Sequence, residues 1–202
     1  MRTGLLAWCL VVPFAGRAQP DAAWPDSLAA YWSRMEAEFA DSAHSPLLAE
    51  DRAIFEHLAR FAPDPAFVVT ARFKPSAKGR TFGMRTSTDR LPMYQDMGRL
   101  HFTLAGRKRT LHAYQNLDLL TKPGYEHYLF VPFTDLTNGT ETYGGGRYLD
   151  LTGPLGPTVV LDFNRAYNPY CAYNHRYSCP IPPQENHLDL PVRAGVMKFH
   201  EH

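Results

Sequence analysis

The apolar residues change their period at Pro65, and that switch limits the folds open to this chain more than any other feature. Before it, Leu28, Trp32, Met35 and Phe39 recur at steps of three and four behind Asp26, a suitable N-cap, with Glu36 and Glu38 on other faces. This spacing predicts an amphipathic helix. From Pro46 to Phe61 a looser helical pattern follows through Leu47, Leu48, Ile54, Phe55, Leu58 and Phe61, closed by Pro63 and Pro65, and predicts a second, shorter helix. After the switch, Phe67, Val69, Ala71 and Phe73 alternate with Val68, Thr70 and Arg72, as in a strand with one buried face. Leu100, Phe102 and Leu104 alternate with Arg99, His101 and Thr103, and Ala105-Gly106-Arg107-Lys108 then turns the chain into Thr110 to Tyr114, which reads as a hairpin. Further strands are expected at 128–133, 147–151, 158–163 and 188–194. Short strands at regular spacing predict a mainly β fold with N-terminal helices (α+β), an antiparallel sandwich or barrel-like sheet, over alternating βαβ units.

The N-terminus reads as a secretory leader. Arg2 precedes the apolar run Leu5 to Val12, Pro13 interrupts that run, and Gly16 and Ala18 stand in the small-residue places of a cleavage site. Cleavage after Ala18 makes residues 1–18 a signal peptide and leaves 19–202 as one exported domain, periplasmic or extracellular, with no stable membrane span. The 202-residue chain has formal net charge +1, and loss of Arg2 and Arg17 takes it to −1. No basic stripe of the kind nucleic acid requires is visible; Arg107-Lys108-Arg109 is the one dense basic cluster and fits a turn.

Polar, glycine and proline residues crowd between 133 and 186 in three blocks. The first runs from Phe133 to Tyr148 and contains Thr142-Tyr143-Gly144-Gly145-Gly146-Arg147-Tyr148; the second is Asp162-Phe163-Asn164-Arg165-Ala166-Tyr167-Asn168-Pro169-Tyr170-Cys171-Ala172-Tyr173; the third is Cys179-Pro180-Ile181-Pro182-Pro183-Gln184-Glu185-Asn186. In these runs the chain resembles the bacterial family catalogued as domain of unknown function 1684, with TYGGGRYLDL-like, DFNxAYNPxCAY-like and CPxPPxEN-like hallmarks in that order. The likeness extends upstream through Ser45-Pro46-Leu47 and Tyr114 to Asp118, and departs at Val196, where relatives carry an acidic residue. It implies domain boundaries and a residue cluster, with no activity attached.

Read chemically, the glycine run permits positive φ and close backbone approach, either in a glycine-bulged hairpin or beside a ligand. Arg147 has a planar fork suited to a carboxylate, whether an internal one such as Glu141 or Asp162 or one on a ligand. Tyrosines with a buried ring and a wet hydroxyl line sites for sugars and other polar ligands. The expected binding residues are therefore Tyr143, Gly145, Arg147, Asn164, Tyr167 and Glu185, around a small polar or glycan ligand. An alternative is a hydrolase using Asp162 with Glu141 or Glu185, Arg147 orienting the substrate. A third is a structural envelope protein whose three blocks hold one another. Asp135 and Glu141 with Asn138 and Asn164 have calcium-ligand chemistry, but their order departs from an EF-hand, and more often such residues cap turns. Cys171 and Cys179 are the two cysteines of the mature chain and are expected to form a disulfide in an oxidising compartment; His175 between them leaves a weaker zinc reading. No metal site and no cofactor are expected, since no serine elbow, zinc helix or dinucleotide fingerprint is present.

Overall fold

The structure is a computed structural model that describes residues 21–199; the leader expected over residues 1–18 lies outside the described residues. Helix α1 (Trp24–Ala40) buries Leu28, Trp32 and Phe39 on one stripe. It starts ahead of Asp26: Ala23 is the N-cap without a side-chain bond, Pro25 presets the backbone of the first turn, and Asp26 lies within that turn, where its charge complements the helix dipole. The second helix is a correction. Only α2 (Ala49–Ala53) forms, and it buries none of its residues. The chain beyond it runs irregularly along α1, where Glu36 accepts the Leu58 N–H at 3.1 Å and also bonds Arg60, so that Leu58 enters the core from non-helical backbone. Among the described residues no helix is long and apolar enough to cross a membrane.

The rest is one mostly antiparallel sheet curled into a half-barrel: β1 (Val68–Pro75), β2 (Thr81–Gly83), β3 (Met93–Leu104), β4 (Arg107–Asn116), β5 (Tyr128–Asp135), β6 (Arg147–Thr152), β7 (Thr158–Asp162) and β8 (His187–Leu188). Its order is β6-β5-β4-β3-β1-β7, with β2 on β3 and the short β8 parallel to β5. The β3–β4 hairpin closes through Ala105 and Gly106, both at positive φ (49° and 74°), as a two-residue turn between twisted strands requires. The strand expected over 188–194 is a second correction. Pairing stops at Leu188, and the carbonyls of Val192, Ala194 and Val196 turn instead toward the Arg147 guanidinium.

Inward residues of β1, β3, β4, β5 and β6, including Val69, Ala71, Leu100, Phe102, Leu111, Val131, Phe133 and Leu149, form the main core with Leu161 and Phe163. A second cluster joins α1 to Leu47, Leu58, Tyr173 and Val196. On the outer face Tyr94, Tyr114, Phe130 and Tyr148 pack with Met84. The edge strands β6 and β7 border one cleft, the open seam of the half-barrel.

Candidate functional site

The three polar blocks meet, largely as scaffold. Tyr148 pairs with Tyr167 through reciprocal backbone bonds of 2.9 and 3.1 Å, and the Tyr148 hydroxyl donates to the Pro180 carbonyl. Of the glycine run only Gly146 has positive φ (88°), and a Cβ there would lie 2.6 Å from the Phe133 carbonyl and 2.8 Å from Pro182. The close approach the run allows is thus to the protein's own chain. A Cβ on Gly145 would strike the Tyr143 ring.

Arg147 is fully buried, and its partner is Asp135, not Glu141 or Asp162. Nη2 donates to Asp135 Oδ2 at 2.8 Å and to the Val192 carbonyl at 2.7 Å, while Nη1 donates to the Ala194 carbonyl at 2.5 Å. Asp135 Oδ1 accepts from the Thr137 amide and hydroxyl and from the Val192 N–H, and Asn138 bonds backbone and Thr142 around it. These oxygens cap turns, and among the described residues no group of three metal-ligating side chains forms. Asn164 clamps the backbone of Asp64 from both its N–H and its carbonyl. Glu141 binds Arg193 at 2.8 Å; Glu185 accepts from Tyr114 and faces Arg80. The acid pairs expected from sequence, Asp162 with Glu141 or Glu185, do not share the seam cleft.

Cys171 and Cys179 are both free thiols, which corrects the expected bond, yet they are neighbours: the Cys171 N–H donates to Cys179 Sγ at 3.2 Å. The Cys179 thiol donating to Cys171, aided by the Tyr143 hydroxyl 3.6 Å away, lowers the Cys171 pKa to about 6, and the same contact pushes Cys179 up.

What the fold assembles instead is the seam cleft, about 370 Å³, lined by Leu149 to Thr152 of β6, Val160 to Asp162 of β7, Trp24 and Tyr31 of α1, and Arg165. Asp150 keeps solvent contact on its rim, and its carboxylate accepts from the Tyr128 hydroxyl at 2.8 Å and the Tyr167 hydroxyl at 2.7 Å. Desolvation raises the Asp150 pKa and outweighs the lowering by the two phenols. Across the cleft Asp162 Oδ2 takes the Trp24 indole N–H at 2.8 Å and faces Arg165 Nε at 3.4 Å, while Arg165 lies 5.4 Å over the Tyr31 ring. Burial, then the Asp150 charge, raises Tyr31 well above the ordinary phenol range, so its hydroxyl stays a donor, used on the Arg165 carbonyl at 3.0 Å.

Of the residues expected from sequence, Asp162 lines this cleft, and Tyr167 touches it only through its hydroxyl bond to Asp150. Asp150, Trp24, Tyr31, Tyr128 and Arg165 were not foreseen; the available signal was a lone carboxylate between Leu149 and Leu151 inside the first hallmark run. A larger groove, about 500 Å³, lies between α1 and residues 57–63. There Glu36 and Arg60 neutralise each other, Arg60 covers the Trp32 ring at 4.9 Å, and Asn164 is the one contribution from the hallmark runs.

A family model described as "Protein of unknown function (DUF1684)" matches residues 53–197. Among solved structures, the solution NMR structure of an uncharacterized protein of the archaeon Haloarcula marismortui is 36% identical, with TM-score 0.70, covering 89% of this chain and 96% of that chain. The search of curated proteins found no match.

Proposed function

The chain belongs to the DUF1684 family, and from its geometry we propose that it is an exported binding module whose seam cleft takes a small polar or glycan ligand. The carrying observation is the cleft itself: two carboxylates, Asp150 and Asp162, flank one opening walled by Trp24 and Tyr31. Hydroxyl-rich ligands suit such a site, because carboxylates accept paired hydroxyl hydrogens while aromatic faces cover the C–H side of a sugar ring. The leader over residues 1–18 supports export to the envelope or beyond. A thermal-shift screen of soluble mono- and oligosaccharides and small polar metabolites tests the reading. Ligands that stabilise the parent chain should lose their effect in Asp150→Asn; ligands stabilising both alike place the site elsewhere.

A hydrolytic use of the same cleft is the second reading. It is favoured by Asp150, whose pKa desolvation raises as a general acid requires, with the Asp162 carboxylate across the same cleft. Release of product from a bound glycoside supports it; unchanged recovery of the ligand leaves binding as the function.

A further inference from the structure

A basic lattice on the outer face of the sheet lies apart from the seam cleft. Outward residues of β1, β3 and β4 pair in register as Arg72 with His101, Lys74 with Arg99, and Arg99 with His112. Lys74, Arg99 and His112 thus form a row across three strands, with Arg72 and His101 in the next row. Neighbouring strands stand about 4.8 Å apart and rows about 6.8 Å. Like charges directly opposite one another destabilise a sheet, and among the described residues Arg72, Lys74 and Arg99 make no ion pair. The acid at the border, Asp96, is engaged by His112 Nδ1 at 2.8 Å and the Gly98 N–H at 2.9 Å. The bulge between Asp96 and Gly98 sets the register: Gly98, at φ 143°, leaves 2.4 Å between a built Cβ and the Lys74 carbonyl, so no larger residue fits, and Arg99 and His101 face outward beyond it. Desolvation, and then the charges of Arg72, Arg99, Lys74 and His112, lower the His101 pKa; its Nδ1 faces Thr110 Oγ1 at 2.9 Å.

We infer that this face binds a linear anionic polysaccharide, its acid groups lying along the Lys74–Arg99–His112 row with Arg72 and His101 beside it. The unpaired cations Arg72, Lys74 and Arg99 call for an anion, and a row spread across three strands, outside both described clefts, calls for an extended chain. The outward residues among the cations are the threonines Thr70, Thr103 and Thr110, which offer hydroxyls to a sugar. The aromatic ring nearest the row, Tyr114 stacked on His112, is fully buried and cannot stack a base, and no exposed tryptophan, tyrosine or phenylalanine lies in these rows. The exposed apolar side chain at their edge, Val160 opposite Thr70, is a single valine, too little to anchor in a membrane.

The test uses the full exported chain and heparin fragments as the probe, by calorimetry at physiological salt, with neutral dextran, duplex DNA and anionic phospholipid vesicles in parallel. Heparin binds, and Lys74→Glu with Arg99→Glu weakens it by roughly tenfold or more, since each basic side chain at an anionic surface counts for about 1 kcal/mol. Arg34→Glu with Lys122→Glu changes net charge equally, off this face, and retains binding. Lys74→Glu alone places opposite charges across β1 and β3, so it raises the melting temperature by roughly 1–3 °C while binding falls. A structural role for the lattice would not move these two readouts in opposite directions. The inference is overturned by a parent chain that ignores heparin, by equal losses in both double variants, or by tighter, equally variant-sensitive binding of DNA or vesicles.

Discussion

The Arg147 guanidinium and the Asp135 carboxylate meet at 2.8 Å with both side chains at 0% exposure, and together they hold the last descending segment of the chain to the sheet. Asp135 also takes the Val192 N–H while Arg147 takes the Val192 and Ala194 carbonyls, so one ion pair satisfies backbone that no neighbouring strand does. Arg147→Ala leaves Asp135 charged and buried, and should cost about 3–5 kcal/mol by chemical denaturation. Arg147→Lys keeps the charge without the planar fork and should remain clearly destabilised. Unchanged stability in both variants would return Arg147 to the list of ligand-contacting residues.

Asp150 makes stability depend on pH. Its raised pKa means the native state holds a proton there at pH values where the unfolded chain has lost it, so stability falls as pH rises from the ordinary carboxylate value through the raised one. Asp150→Asn keeps an acceptor for Tyr128 and Tyr167 and removes the charge. Its melting temperature should match the parent below that window and equal or exceed it above. A parent whose stability rises through the window relative to Asp150→Asn would show that the two phenols dominate.

The thiol pair is open to modification. Because the Cys179 thiol donates to Cys171 and favours its thiolate, Cys171 should alkylate at pH values below the ordinary thiol range and ahead of Cys179, whose pKa is raised by the same contact. Peptide mapping after brief alkylation reads the order. A chain that takes up no label until reduced, lighter by two hydrogens, would carry the disulfide instead.

The alternation of Val69, Ala71 and Phe73, or of Leu100, Phe102 and Leu104, made β1 and β3 legible because each strand writes its buried face in adjacent positions. Leu58 misled the reading of the second helix, since it is buried from irregular backbone whose bonds go to Glu36, a residue of another element. The 188–194 run has strand-like residues, but its carbonyls answer to Arg147. Asp150 was hidden for a related reason: its phenol partners come from β5 and the second hallmark run, and Trp24 and Tyr31 arrive from α1. Both the seam and the basic lattice are products of register, which a single strand's composition does not carry.

The most direct test of the seam cleft is the indole N–H resonance of Trp24, which donates to Asp162 at the cleft wall. Titrating the labelled chain with a ligand found by the saccharide and metabolite screen should shift this resonance and the amides of 149–152 and 160–162 together, with one dissociation constant that weakens in Asp150→Asn. A bound ligand that leaves the Trp24 indole and both edge strands unmoved, while shifting residues elsewhere, would contradict the assignment.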